Sequence, residues 1–160
     1  MISKKIVLTG SFGVGKTSLF NRFISNTFSD NYLTTIGVKV EKKALQVAGE
    51  EVSLILWDIA GEVSQEKVPK SYFLGASAII YIFDLSRPTT LKNMRADLKM
   101  LNELLPGVII RKVGNKKDLI LEEEELKKIR RKASPDILTS AKTGENVEDL
   151  FFDIAKALMS

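Results

Sequence analysis

The sequence contains no cysteine and no histidine. Without cysteine the chain has no disulfide framework, no thiolate metal site and no thiol nucleophile, and we expect no prenyl or palmitoyl anchor on it. Without histidine it has no imidazole base and no imidazole ligand. These absences exclude serine–histidine and cysteine–histidine hydrolases and most zinc enzymes. The chemistry that is left uses carboxylates, lysine, hydroxyls, backbone N–H groups and hard cations.

Long apolar runs are also lacking. The best apolar stretch, residues 76–83, is far shorter than the roughly 20 residues that span a bilayer. The apolar residues 6–8 that follow Lys4 and Lys5 are too few for the core of a signal peptide. We therefore expect a cytoplasmic protein.

The length and composition indicate one globular domain over residues 1–160, with 44% hydrophobic and 28% charged residues. The net charge of +4 could suggest nucleic acid as a partner. The charge-biased segment is residues 122–132, where Glu123 with Lys127 and Glu124 with Lys128 have the spacing of favourable pairs on a solvated helix. Because no aromatic residues are interleaved with the basic residues of this segment, we expect no nucleic-acid binding.

Apolar stretches bounded by turn residues predict six strands, at residues 4–9, 38–47, 52–57, 78–83, 108–113 and 136–139. Several are nearly continuous in Ile, Val and Leu, which is typical of strands covered on both faces of a parallel sheet. Helical patterns lie between them, one running from Leu91 to Leu105 and one following Asn146, a predicted N-cap. Gly49 lies in a tight connection that predicts a hairpin. The fold class is therefore α/β, a six-stranded mostly parallel sheet with one antiparallel edge strand and about five flanking helices.

A phosphate-binding pattern follows the first strand. Its eight residues are Gly10, Ser11, Phe12, Gly13, Val14, Gly15, Lys16 and Thr17. Gly13 and Gly15 permit backbone conformations that turn successive N–H groups towards phosphate oxygens, and the following helix adds its positive N-terminus. Lys16 would reach the β and γ phosphates, and the Thr17 hydroxyl would bind Mg²⁺. The alternative is a glycine-rich turn that binds nothing. The pattern predicts a P-loop NTPase domain and leaves ATP-using enzymes open.

Two further segments follow strands on the same edge of the predicted sheet. Asn115, Lys116 and Asp118 come after the fifth strand, and Ser140, Ala141 and Lys142 come after the sixth. Open α/β sheets bind ligands at the carboxyl ends of their strands. An Asn-Lys-x-Asp sequence alone is a weak signal because Asn and Asp are common in turns, but here it stands in register with a phosphate loop.

With these motifs the chain resembles the Ras-like small GTPases, and within them the Rab branch most closely. The resemblance implies that Asp118 accepts hydrogen bonds from the ring NH and the exocyclic amine of guanine, two donors that adenine lacks. A carboxylate left unpaired against adenine would cost enough free energy for strong discrimination. The resemblance also implies that the Lys116 stem covers the base, that the Ala141 N–H meets the guanine carbonyl, and that Asn115 ties the loops together.

The same resemblance identifies two switch segments. Phe28 and Thr35 match the first, in which Phe28 would pack against the base and Thr35 would bind Mg²⁺ when the γ phosphate is present. Asp58 and Gly61 match the second, in which Asp58 would hold the metal through water and the Gly61 N–H would contact the γ phosphate. Loss of that phosphate would release both segments. Residues 34–38 and 61–72 would then signal to effector and regulator proteins.

The resemblance thus implies Mg²⁺ as cofactor and GTP or GDP as ligand. The expected nucleotide-binding residues are Ser11, Phe12, Gly13, Val14, Gly15, Lys16, Thr17, Ser18, Phe28, Thr35, Gly61, Asn115, Lys116, Asp118, Leu119, Ser140, Ala141 and Lys142. The expected metal ligands are Thr17, Thr35 and Asp58, and the expected catalytic residues are Lys16, Thr35, Gly61 and Glu62. We expect a monomer.

Three departures from the family pattern affect hydrolysis and partners. Glu62 stands where the family usually has the glutamine that orients the attacking water, and a carboxylate there faces the negative γ phosphate. Phe12 is bulky where relatives have a small residue. Residues 63–66 and Val40 differ from the usual effector surface, so the family's effectors do not carry over. Weak GTPase activity is therefore expected. The alternatives are a static GTP- or GDP-binding module and an ATP-using enzyme.

Overall fold

The computed structural model of the chain describes residues 2–28, 37–59 and 68–160. Within these residues the strands are β1 Ile2–Gly10, β2 Val38–Val47, β3 Glu50–Ile59, β4 Ala78–Asp84, β5 Ile109–Asn115 and β6 Ile137–Leu138. The helices are α1 Lys16–Ser25, α2 Met94–Leu104, α3 Glu123–Ala133 and α4 Val147–Met159, with short 3₁₀ turns at Lys70–Tyr72, Pro88–Leu91 and Lys117–Leu119. No helix of the described ranges is long and apolar enough to cross a membrane.

The strands form one six-stranded sheet in the order β2-β3-β1-β4-β5-β6. β1 runs parallel to β3 and β4, and β4, β5 and β6 run parallel to one another. β2 pairs antiparallel with β3 at the edge, through the hairpin at Ala48 and Gly49, both of which have positive φ. The predicted fold class is therefore confirmed. The parallel order brings the carboxyl ends of β1, β4, β5 and β6 to one edge of the sheet.

The sheet is covered on both faces. Every residue of β4 is buried, as its uninterrupted apolar sequence predicts. On one face α1 and α4 pack together, and the rings of Phe23 and Phe151 stack with centroids 3.9 Å apart. On the other face α2 covers β4, where the Tyr81 hydroxyl donates to Asp97 at 2.6 Å. Both layers fix the strand ends that carry the site.

Local details differ from the sequence predictions. Four helices flank the sheet in the described residues, and Leu91 belongs to a separate short turn before α2. Asn146 does not cap α4 through its side chain, because its left-handed backbone directs the amide to the Leu138 carbonyl at 2.8 Å. On α3 an ion pair joins Glu124 to Lys127, which are three residues apart rather than four as in the predicted pairs. Exposed helix charges exchange partners at little cost, which explains this difference.

Candidate functional site

The phosphate loop connects β1 to α1, as predicted. Gly13 and Gly15 have φ of 73° and 100°, in the left-handed region that favours glycine. At Gly15 a Cβ atom would also lie 2.3 Å from the buried Asn115 amide nitrogen. The loop therefore requires glycine at this position for both backbone conformation and space.

Side-chain donors hold five consecutive carbonyl groups of this loop. Gly10 and Ser11 accept from Lys16 at 3.0 and 2.8 Å, Phe12 accepts from Arg87 at 2.8 Å, Gly13 accepts from Lys116 at 2.9 Å, and Val14 accepts from Asn115 at 3.0 Å. The donors come from α1 and from the segments at the ends of β4 and β5. Each of these five carbonyl groups therefore has a side-chain partner.

Lys16 and Thr17 begin α1 at the centre of the site. Burial lowers the pKa of Lys16 to about 8, although the nearby Asp58 carboxylate opposes this effect. The Thr17 hydroxyl donates to the Asp58 carboxylate at 2.7 Å, and Asp58 is fully buried at the end of β3. A hydroxyl and a carboxylate oxygen side by side are ligands that suit Mg²⁺. In the described ranges, no group of three or more acidic, His or Cys side chains offers a metal site.

The base-side loops are joined by a buried polar network. The Asn115 side-chain oxygen accepts from the Thr139 hydroxyl at 3.0 Å and from the Ala141 N–H at 3.2 Å. Lys117 N–H donates to the Thr139 carbonyl at 3.0 Å. The Ser140 hydroxyl donates to one oxygen of Asp118 at 2.7 Å. The two predicted segments therefore meet, with Asn115 bridging both of them to the phosphate loop.

The other predicted nucleotide residues surround this network. Ser11 and Ser18 are half-buried, and Leu119 is exposed in the turn after Lys116. Phe28 is half-buried against the core that α1 and α4 share. Lys142 is exposed. Their roles towards a base or phosphate stay predictions.

Phe12 projects from the phosphate loop with 59% of its surface exposed. Its side chain thus stands open to solvent while its carbonyl is held by Arg87.

Three predicted residues lie outside the described residues. These are Thr35, Gly61 and Glu62, which fall in residues 29–36 and 60–67. The predicted roles of these residues in metal binding and hydrolysis stay predictions.

Asp84, Arg87 and Arg22 belong to the site but were not predicted from the sequence. Asp84 ends β4 and is buried. Arg22 on α1 donates to the carbonyls of Ala141 and Lys142 at 2.8 and 2.6 Å. The one available signal was Asp84, a charged residue ending an otherwise apolar strand.

Comparisons with known proteins agree with this architecture. A family model described as the Ras family matches residues 5–160. Over 160 residues the chain is 38% identical to the Ras-related protein Rab-34 of Sus scrofa, covering 94% of this chain and 62% of that protein. It is 33% identical to the Ras-related protein SEC4 of Saccharomyces cerevisiae, covering 96% of this chain and 74% of that protein. It is 34% identical to the Ras-related protein Rab-4B of Homo sapiens, covering 98% of this chain and 76% of that protein. The chain thus spans about 62% of the length of the Rab-34 proteins.

Proposed function

This chain belongs to the Ras family of small GTPases and is closest to the Rab branch, and on that premise we propose that it is a switch that binds GTP and GDP. The observation that carries this proposal is the position of Asn115. Its amide group contacts the phosphate loop at Val14, and its oxygen contacts the base-side loop at Ala141. One buried side chain therefore sets the distance between a diphosphate site and a base site.

Asp118 selects guanine in this proposal. Ser140 donates to one of its oxygens, which fixes the orientation of the carboxylate. The carboxylate then accepts from the ring NH and the exocyclic amine of guanine, whereas adenine offers neither donor. A polar group left unpaired in a binding site discriminates strongly between ligands. In the same proposal the aliphatic stem of Lys116 covers the base, and Leu119 lies beside the base.

Mg²⁺ fits the oxygen donors at the phosphate end. Thr17 would hold it directly and Asp58 would hold it through water, joined by Thr35 in the GTP state. When bound, the ion neutralises negative charge on the β and γ phosphates. Lys16 contributes a further positive charge there, and the N–H groups of residues 13–17 bind the phosphate oxygens.

Hydrolysis is slow in this proposal. Glu62 replaces the glutamine that orients water in the family, and its negative charge is repelled by the γ phosphate. Phe12 is bulky and exposed, and by the resemblance it lies next to the space that a partner's arginine would enter. We expect unassisted turnover at or below roughly 10⁻⁴ per second, the scale of Ras-like proteins without an activating partner.

Single-turnover release of phosphate from GTP tests this rate. The variant Glu62→Gln is expected to hydrolyse GTP faster than the wild-type chain, because a neutral amide can orient water without facing the phosphate as an anion. Glu103→Gln, an exposed change on α2, serves as the control. Wild-type turnover well above roughly 10⁻⁴ per second would contradict slow hydrolysis, because it would show that Glu62 is competent.

A second candidate function is a binding module that retains its nucleotide and does no useful hydrolysis. Phe12, exposed on the phosphate loop, favours it together with Glu62, because both depart from the family pattern where hydrolysis is expected, whereas the residues expected to bind the nucleotide match that pattern. The nucleotide that co-purifies, identified by chromatography after denaturation, separates the two functions. Retained GTP indicates the static module, and GDP indicates an active switch.

Effectors and regulators bind through residues 34–38 and 61–72 in this proposal, with the chain as a monomer. Val40, on the edge strand β2, is 46% exposed. It stands where the Rab effector surface has an aromatic residue. The chain therefore selects partners different from those of its relatives, which a binding comparison with Val40→Phe would measure.

A further inference from the structure

A buried carboxylate at the end of β4 gathers two cations. Asp84 is 1% exposed. Its Oδ2 atom lies 3.0 Å from the Arg87 Nε and 3.0 Å from the Lys116 Nζ. Its Oδ1 atom accepts from the backbone N–H and the hydroxyl of Ser86 at 2.8 and 2.6 Å. Both oxygens of the carboxylate are therefore used, and the two cations are held side by side.

Each of these cations makes a second bond to the phosphate loop. Arg87 Nη2 donates to the Phe12 carbonyl at 2.8 Å, and Lys116 Nζ donates to the Gly13 carbonyl at 2.9 Å. We call Asp84, Arg87 and Lys116 the carbonyl brace. It fixes two successive peptide groups of the loop from the outside.

The brace determines where two N–H groups point. The described peptide bonds are trans, so that a carbonyl and the N–H of the next residue point in opposite directions. When the carbonyls of Phe12 and Gly13 face the brace, the N–H groups of Gly13 and Val14 face the other side of the loop. That side is where the proposed function requires donors for phosphate oxygens.

We propose that Arg87 is a positioning residue for the nucleotide phosphates, acting through the Phe12 carbonyl to aim the Gly13 N–H. This inference rests on the proposed function, because it assigns the phosphate end of the same site. Arg87 contacts no reacting atom in this arrangement. Its contribution is preorganisation: the peptide group is already oriented before the nucleotide arrives.

The geometry of the guanidinium explains why arginine suits this position. One edge, through Nε, reaches Asp84, while Nη2 reaches the loop carbonyl. A lysine ammonium is a single point of charge on a flexible stem. At position 87 it would have to serve Asp84 and the Phe12 carbonyl from one atom, as Lys116 does for Asp84 and Gly13, without the fixed spacing of two guanidinium nitrogens. Burial alone would raise the pKa of Asp84, but hydrogen bonds from Ser86, Lys116 and Arg87 hold it below the ordinary value, so that the Asp84 carboxylate is ionised at neutral pH.

Binding of GDP and of guanosine by Arg87→Met tests the inference. Methionine keeps a similar stem and removes the donors. We expect the dissociation constant for GDP to rise about tenfold, as loss of a charge-assisted hydrogen bond predicts. Guanosine carries no phosphate, so its affinity, measured by competition with a fluorescent GDP, is expected to change less than about twofold from wild type. Arg95→Met, an exposed change on α2, is the matched control.

The guanosine measurement separates positioning from a merely structural role. If Arg87→Met weakens GDP and guanosine by the same factor, or leaves GDP within about twofold of Arg95→Met, the inference is overturned. Arg87→Lys keeps the charge and covers the case in which the methionine variant fails to fold. We expect it to bind GDP more weakly than wild type, and wild-type affinity in this variant would also overturn the inference. Failure of the wild-type chain to bind GDP would instead contradict the proposed function.

Discussion

The two ends of the site are held by different kinds of interaction. At the base end, the neutral side chains of Asn115 and Thr139 are buried and bonded to each other, and the buried Ser140 hydroxyl donates to Asp118. At the phosphate end, the charged side chains of Lys16 and Arg87 donate to the loop carbonyls. In the proposed function the base end selects guanine, because a wrong base would leave the Asp118 carboxylate unpaired. In the same proposal the phosphate end attracts an anion, while the bonds from Lys16 and Arg87 keep the loop in one conformation.

Two neighbouring residues belong to both ends. Asn115 bonds to the loop at Val14, and Lys116 bonds to it at Gly13. Both lie where β5 ends, so that the strand sets the spacing between the two halves. Changes confined to one end should affect base selection or phosphate affinity separately, whereas changes at Asn115 should affect both.

The largest expected effect comes from changing base selection. In Asp118→Asn, the amide replaces a carboxylate oxygen by a donor, and we expect affinity for GDP to fall about a thousandfold. The donor should pair with the additional carbonyl of xanthine, so that affinity for xanthosine diphosphate rises. Calorimetric titration with both nucleotides measures this exchange. Asp149→Asn on the exposed side of α4 is the control, and unchanged GDP binding by Asp118→Asn would contradict the assignment.

Asn115→Ala should weaken both ends at once. The change leaves the Val14 carbonyl and the Thr139 hydroxyl without their Asn115 partner, and we expect a loss of about 3 kcal/mol in the free energy of unfolding. Urea unfolding without nucleotide measures this loss. The exposed Asn102→Ala on α2 should stay close to wild type. A loss of GDP affinity with no loss of stability would show that Asn115 does not join the two ends.

A smaller, pH-dependent effect is expected at Asp84. Its pKa is lowered in the folded chain, so that its ionised form stabilises the fold above its unfolded pKa of about 4, and this stabilisation is lost as the pH falls through the folded pKa. Asp84→Asn removes this contribution and should cost about 2 kcal/mol at neutral pH. Denaturant unfolding from pH 7 downwards should show that the gap in the free energy of unfolding between the wild-type chain and Asp84→Asn narrows in acid. A gap that stays constant or widens in acid would contradict this origin.

The parts of the site that were predictable from the sequence are those formed by residues close together along the chain. The conformation of the phosphate loop depends on its own glycines, and β5 leads directly into residues 115–118, so both could be identified along the chain. Arg87 could not, because it reaches Phe12 across 75 positions of sequence. Only the folded order of β1, β4 and β5 brings the two together.

The fold was predictable for a similar reason. Nearly continuous apolar strands indicated a buried parallel sheet, and the Gly49 turn indicated the hairpin. Details that depend on tertiary contacts differed. Asn146 fitted an N-cap by residue type, but the nearby Leu138 carbonyl takes its amide instead. Local preference is overridden when a buried carbonyl needs a donor.

Competition between GDP and ADP for the wild-type chain tests the central claim most directly. The chain, stripped of nucleotide and supplied with Mg²⁺, is titrated with a fluorescent GDP and then with each competitor. We predict that GDP displaces the probe at concentrations at least about a hundredfold lower than ADP does. Equal displacement by ADP, or a preference for it, would contradict recognition of guanine by Asp118.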